Sequence, residues 1–467
     1  MNPSSLCQTP GTELARAIRE KTVSPVEVTE AFLDRIATLE PRLNAFATLT
    51  AEHAREEARR AEDAVMKRRP LGLLHGVPFG LKDFANTAGI RTAFGSRILE
   101  KNIPKEDAEV VSRLRRAGGV LLGKTTGPEY GWKALGDSPL TGETRNPWNT
   151  AHSPGGSSSG SAAAVASGMA PLAVGSDGAG SIRIPASFCG LYGFKPSFGR
   201  IPVPLPPPHQ LTHFGPLTRT VADAAVLMAV MSGPHESDPA SLEAHPADYI
   251  GKLNDGVRGL KVAWSPDLGH ARVDPEVARI CAQAAQAFEQ AGALVEEVNP
   301  GWADPRPILD PLWLGGYAAR LHTRLEEWGS RMDPGLVTLV REGARISGTA
   351  FAEAQMARIG FWDVVRPFFH RYDLLLTPTV SVVALKCGLL NPPGWPQHPW
   401  DWFPWAPFSF PFNLTGQPAA TVPAGFSASG LPVGLQIVGR RFADLTVLQA
   451  SAAYEKVRPW AGTWPVL

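Results

Sequence analysis

Two glycine–serine clusters constrain this chain more than any other feature. They are Gly155-Gly156-Ser157-Ser158-Ser159-Gly160 and Gly178-Ala179-Gly180-Ser181. Between them runs a mostly apolar segment, AAAVASGMAPLAV at 162–174. Glycine lets a backbone turn sharply and come close to a ligand. Serine brings a hydroxyl that a neighbouring base can turn into a nucleophile. A basic side chain, Lys82, lies upstream in GVPFGLKD. The three places together suggest an acyl-transfer site built from serines and a lysine.

The surrounding pattern is that of an α/β protein. Ser24-Pro25-Val26-Glu27 starts a helix, with serine at the N-cap, proline at the first helical position and glutamate three residues on. Residues 51–69 carry alanine and alternating charge at helical spacing. GVPFGLKD reads as a strand with Lys82 at its end. A helix at about 107–117 then leads through Gly118-Gly119 into the apolar strand Val120-Leu121-Leu122. Further on, 259–264 reads as a strand, 274–292 as a helix and 294–298 as a strand, a candidate for a small inserted subdomain within about 250–370. PVPLPPP at 202–208 can be neither helix nor central strand and reads as a surface loop.

Several spellings mislead. GGVLLGKT at 118–125 matches the phosphate-loop pattern, but it needs a strand before it and a helix after it, and here the order is reversed. Gly156-Ser157-Ser158-Ser159-Gly160 matches the nucleophile elbow, yet the polar, proline-punctuated NPWNTAHSP supplies no strand to feed it. Gly178-x-Gly180 begins a dinucleotide fingerprint whose third glycine is replaced by Arg183. The histidines show no metal-ligand spacing, and no metal or cofactor is expected.

Composition narrows the class. Forty-five basic residues balance 44 acidic ones, for a net charge of +1, which gives no electrostatic footprint for nucleic acid. Four widely spaced cysteines, Cys7, Cys189, Cys281 and Cys387, suit a reducing compartment. MNPSSLCQTP has no basic stretch followed by an apolar core, so no signal peptide is expected, and no apolar run reaches the ~18 residues that span a bilayer. The expectation is a cytoplasmic enzyme, monomeric or homo-oligomeric, with no membrane partner.

The glycine–serine stretch, continuing as GSDGAGSIRIPASFCGLYGFKPSFGR, resembles the defining segment of the amidase signature family. GVPFGLKD resembles that family's lysine strand. AGGVLLGKTTGPEYG, FGPLTRTVADAA at 214–225 and TGQPAATVPAGFSASGLPVGLQIVGR at 415–440 resemble its other segments. The resemblance implies one amidase domain over 1–467: a large mixed, twisted sheet surrounded by helices, with a helical N-terminal region at about 10–70 and a signature core at about 70–230. It also implies a Ser–cis-Ser–Lys triad. Lys82 stands at the base, Ser157 at the bridging serine after a cis peptide bond, and Ser181 at the nucleophile. The N–H groups of Gly178, Ala179, Gly180 and Ser181 stand at the oxyanion hole. The family commonly has threonine or isoleucine where Gly178 stands and glycine where Ala179 stands. Both backbone donors survive these changes, while the room in the pocket changes.

The chemistry suits the lysine. Its amine, with a reference pKa of ~10.4, becomes a base near neutral pH only where burial or nearby cations favour the neutral form. Lys82 ends an apolar strand, and the adjacent Asp83 faces the other way. Asp177 and Arg183, flanking Ser181, read as a structural ion pair.

The implied activity is hydrolysis of C–N bonds in amides through a serine acyl-enzyme, and aryl-acylamidase-type members of the family also cleave carbamates (urethanes). The aromatic, proline-rich segment 391–412, NPPGWPQHPWDWFPWAPFSFPF, is either a loop packed on the core or at a subunit contact, or one wall of a substrate pocket. In the second case Trp400, Trp402 and Trp405 point to bulky apolar or aryl substrates. The competing assignment is the glutaminase subunit of a tRNA-dependent amidotransferase, a branch that usually has glutamine where Ile184 stands.

Overall fold

The computed structural model describes residues 3–203, 211–243 and 248–467. Thirteen strands occur in these segments: β1 (Phe46–Leu49), β2 (Pro78–Lys82), β3 (Val120–Thr125), β4 (Asp137–Ser138), β5 (Gly142–Glu143), β6 (Leu172–Asp177), β7 (Tyr192–Lys195), β8 (His213–Thr218), β9 (Lys261–Trp264), β10 (Leu294–Glu297), β11 (Leu374–Pro378), β12 (Ala419–Phe426) and β13 (Pro432–Gly439). β4 and β5 form a small hairpin, and the other eleven make one sheet in the order β1-β3-β2-β6-β8-β7-β12-β13-β11-β9-β10. The sheet is mixed: β3, β2 and β6 are parallel neighbours, β6 through β11 alternate antiparallel, and β11, β9 and β10 are parallel again. The strands of the candidate subdomain at 250–370 are thus the far edge of this same sheet. The all-buried pattern of β2, β3 and β6 reflects helices covering both faces.

Local signals act as the sequence suggests. The helix Pro25–Leu43 begins at Ser24, whose Oγ accepts from the Val26 N–H at 2.9 Å while Glu27 accepts from the Ser24 N–H at 2.9 Å. The charged segment forms a helix over Ala51–Met66. The stretch 274–292 breaks at Gln286 into helices Pro275–Ala285 and Ala287–Gln290. The proline run at 202–208 lies mostly outside the described residues. The phosphate-loop spelling ends inside β3, where Lys124 is buried and donates to Ala85 O at 2.6 Å, Thr92 Oγ1 at 2.9 Å and Thr87 Oγ1 at 3.0 Å. A lysine held this way serves the core.

β2 and β6 matter most for the site. They run parallel in the register Gly80↔Ala173 and Leu81↔Val174, so Lys82 and Ser176-Asp177 emerge side by side at their carboxyl ends. The helix Ser159–Ala166, all small residues and wholly buried, packs against this part of the sheet. Only glycine fits at position 160, where a Cβ would lie 2.1 Å from Ala45 O. Among the described residues, no helix is long and apolar enough to cross a membrane.

The aromatic segment 391–412 belongs to a second apolar core, which also holds Tyr130, Trp313 and Tyr317. Trp402 stacks on Phe403 with ring centroids 4.0 Å apart and donates its Nε1–H to Trp132 O at 3.0 Å. Trp405 stacks on Phe188 and donates to Leu390 O at 3.1 Å. Trp400 donates to the Glu342 carboxylate at 2.7 Å. Each ring buries a large apolar surface and still satisfies its one donor. Truncating Trp402, which is 1% exposed, to alanine is expected to lower unfolding free energy by about 3–5 kcal/mol. Urea denaturation of the Trp402→Ala variant measures this, and a loss below about 1 kcal/mol would contradict the packing described.

Candidate active site

Lys82 is fully buried at the end of β2. Its Nζ lies 2.8 Å from Ser157 Oγ, 2.9 Å from Ser176 Oγ and 3.5 Å from Ser176 O. The Phe84 ring covers it, with the centroid at 4.3 Å. Burial pushes the Lys82 amine well below its ordinary pKa, and the more distant negative charge of Asp177 opposes this only in part. A neutral amine has two N–H donors and one lone pair. Two contacts to Ser176 can take the donors, which leaves the lone pair for the Ser157 O–H. Asp83 faces away, accepting from the Ala93 N–H at 2.9 Å and lying 3.7 Å from Lys124.

The peptide bond Gly156–Ser157 is cis. Ser158 ties the two serine clusters together. Its N–H donates to Ser181 O at 3.1 Å, and its Oγ exchanges hydrogen bonds with Ser176 N and Ser176 O, both at 3.2 Å. Gly127 and Gly131 are glycines for reasons of space. A Cβ at Gly127 would lie 2.5 Å from Ser157 O, and one at Gly131 would lie 2.6 Å from the Phe84 ring and 3.1 Å from Ser157 Oγ.

The loop 178–182 is held from below by a buried ion pair. Arg183 donates to Asp177 through Nε at 2.9 Å and Nη2 at 2.9 Å. The same carboxylate accepts from Gly180 N–H at 2.7 Å, Ile182 N–H at 3.2 Å and Asn413 Nδ2 at 2.9 Å. Burial alone would raise the pKa of Asp177. The Arg183 charge and hydrogen bonds outweigh it and hold the carboxyl well below the usual range. Ser409 braces the loop from the other side, its Oγ donating to Ala179 O at 2.6 Å. Gly180, at φ +120°, has no room for a side chain, since a Cβ would meet Ser409 Oγ at 2.5 Å.

Ser157, Ser176, Gly178 and Ser181 line one cavity of about 590 Å³. Its other walls include Phe84, Phe94, Tyr130, Phe214, Trp313 and Tyr317. A Cβ built on Gly178 would touch Trp313 at 3.5 Å, so glycine here leaves space beside that ring. Among the described residues, no group of three or more His, Cys, Asp or Glu could hold a metal ion.

A family model for amidases matches residues 27–448. An acylamidase of Rhodococcus erythropolis is 39% identical over 466 residues, spanning 97% of this chain and 96% of that protein. The chain belongs to the amidase signature family. A glutamyl-tRNA(Gln) amidotransferase subunit of Moorella thermoacetica is 36% identical over 476 residues, spanning 95% of both. Among solved structures, a bacterial aryl acylamidase of the amidase signature family superposes with a TM-score of 0.91 at 34% identity, over 97% of each chain. A 6-aminohexanoate cyclic dimer hydrolase superposes with a TM-score of 0.90 at 30% identity, over 98% of this chain and 99% of that one. The large mixed sheet with its surrounding helices is this family's fold, and the chain is an amidase-family C–N hydrolase.

Two expectations about this amidase need correction. Trp400, Trp402 and Trp405 are not among the described residues that line the cavity; they are core residues, and Trp402 meets the lining residue Trp313 edge-on with ring centroids 6.4 Å apart. Nor are all four N–H groups of 178–181 available. The Gly180 N–H is taken by Asp177, whereas those of Gly178, Ala179 and Ser181 have no partner among the described residues. Sequence reading also missed Ser176, Ser158 and Ser409. The first two carry a weak signal, since both lie within or beside the serine clusters. Ser409 carries none, being 230 residues from the carbonyl it holds.

The buried amine has a measurable consequence. Below its lowered folded-state pKa, Lys82 is charged in both states and its burial cost is fully present. As pH rises toward the unfolded value of ~10.4, the unfolded chain binds more protons than the folded one, so stability rises with pH. The stability of the wild type minus that of Lys82→Met is therefore expected to increase with pH across this window. Urea midpoints taken from neutral pH to the alkaline side test it, and a flat or falling difference would show that Lys82 stays charged in the fold.

Proposed function

We propose that this chain hydrolyses bulky apolar or aryl amides through an acyl-enzyme on Ser181. The observation that carries the reading is a buried Lys82 amine, pushed well below its ordinary pKa, 2.8 Å from Ser157 Oγ, which lines a cavity together with Ser181 and a row of aromatic rings. In this mechanism Ser181 Oγ attacks the carbonyl carbon, passes its proton to Ser157, and Ser157 passes its own to Lys82. The developing oxyanion is met by the N–H groups of Gly178, Ala179 and Ser181. The C–N bond then breaks, and the proton returns along the same relay to the leaving amine. Water, deprotonated by the same relay, cleaves the Ser181 ester in the second half.

Carbamates offer the same carbonyl to Ser181 and fall within the proposed class. The glutaminase reading has less support. Free glutamine carries an α-ammonium group, and no carboxylate lines this cavity among the described residues. The acylamidase and aryl acylamidase relatives lend weight to the first reading.

Turnover of an anilide, an aliphatic amide, a carbamate and glutamine by the wild type tests the substrate class, and preference for glutamine would overturn it. Ser181→Ala is expected to lower kcat by about four orders of magnitude or more, and Lys82→Ala severely, with folding retained by circular dichroism. Near-normal turnover in Ser181→Ala would sink the mechanism. A second test probes the space beside Trp313. Gly178→Ile is expected to lower kcat/KM for the anilide about tenfold relative to a small aliphatic amide, and equal losses on both would argue against that space holding substrate.

A further inference from the structure

The helix Arg306–Leu321 forms one wall of the cavity. Trp313, Gly316, Tyr317 and Arg320 lie three and four residues apart, so they share one face of this helix and all four line the cavity. The face has a direction. Trp313 stands beside Gly178, at the oxyanion loop. Arg320, seven residues on, lies about 10 Å further along the helix axis at 1.5 Å per residue, where it is exposed to solvent.

Arg320 is the one charged side chain on the cavity lining among the described residues. Its guanidinium lies over two rings of the same cavity, 4.8 Å from the Tyr130 centroid and 5.2 Å from the Phe94 centroid. It has no ion-pair partner among the described residues, and the stretch 204–210 contains no Asp or Glu that could supply one. A basic residue in a last helical turn often serves only to offset the helix dipole. Here the guanidinium is turned onto the cavity's aromatic rings. A guanidinium lying over aromatic rings still has its N–H edge for a planar anion.

We infer that Arg320 receives a carboxylate at the far end of the substrate, about 10 Å from the scissile carbonyl by the helical rise, with an apolar or aryl spacer lying between them against Trp313 and Tyr317. This substrate class rests on the hydrolase reading above, and it makes Arg320 a specificity residue rather than a catalytic one.

Two matched pairs of probes test it, one for each side of the scissile bond. The first is the mono-(para-nitroanilide) of octanedioic acid and its methyl ester. The second is the N-acetyl derivative of an aminobiphenylcarboxylic acid and its methyl ester. In at least one pair the wild type should favour the acid. Arg320→Gln should cut that acid-to-ester ratio of kcat/KM roughly five- to tenfold, the modest size reflecting solvent exposure, while Arg320→Lys should keep part of it. An ester preference in both pairs, or a ratio that Arg320→Gln leaves unmoved, overturns the inference and leaves Arg320 as a stacking residue. If the wild type hydrolyses no probe, the reading of bulky apolar or aryl amides as its substrates falls. Calorimetric binding of each pair to Ser181→Ala, with and without Arg320→Gln, then decides the anion site without turnover: loss of an acid preference supports it, and equal binding of acid and ester overturns it.

Discussion

The buried pair of Asp177 and Arg183 is the interaction on which the rest of the site depends. Taking both charges out of water is costly, and their attraction repays it only where the remaining donors and lone pairs are satisfied. Here they are. Besides Asp177, Arg183 donates to Ser409 O, Gln436 Oε1 and Asn413 Oδ1. Asp177 collects the N–H groups of Gly180 and Ile182 on either side of Ser181. The loop shape, and so the direction in which Ser181 and its neighbouring N–H groups point, is set by this arrangement. The pair works through geometry rather than through reaction chemistry.

It also sets the electrostatics of Lys82. A lone carboxylate next to a buried amine would favour the protonated form. Burial of Lys82 outweighs the opposing charge of Asp177, which is paired with Arg183, and holds the amine well below its ordinary pKa. Lys195, buried near the same pair, is held well below its ordinary pKa by burial first and by the Arg183 charge second. Two buried lysines with lowered pKa values thus sit close to one buried ion pair.

What could be read from the sequence was local. The cap at Ser24, the Lys82 strand, the glycine–serine clusters and the sheet class all rest on short stretches whose chemistry is self-contained. The cavity is different. Its walls come from positions as far apart as Phe84, Tyr130, Phe214 and Trp313, and only the spacing of 313, 316, 317 and 320 leaves a trace in the chain. The aromatic segment misled because composition reports that rings will be buried without saying against what. Trp402 and Trp405 are buried as deeply as any pocket ring, but on the far side of the wall. That the Gly180 N–H is taken by Asp177 is equally invisible in the chain, since it depends on where the carboxylate turns.

Gln436 closes the shell around Arg183 across 253 residues of chain. On a ribosome adding roughly 5–20 residues per second, Arg183 would emerge some 13–50 s before its last partner is made. Through that interval a guanidinium destined for the interior has to stay in water, and the loop bearing Ser181 has no fixed form. In the proposed mechanism, then, a nascent chain that already carries Lys82, Ser157 and Ser181 stays silent until its C-terminal strands have joined the sheet.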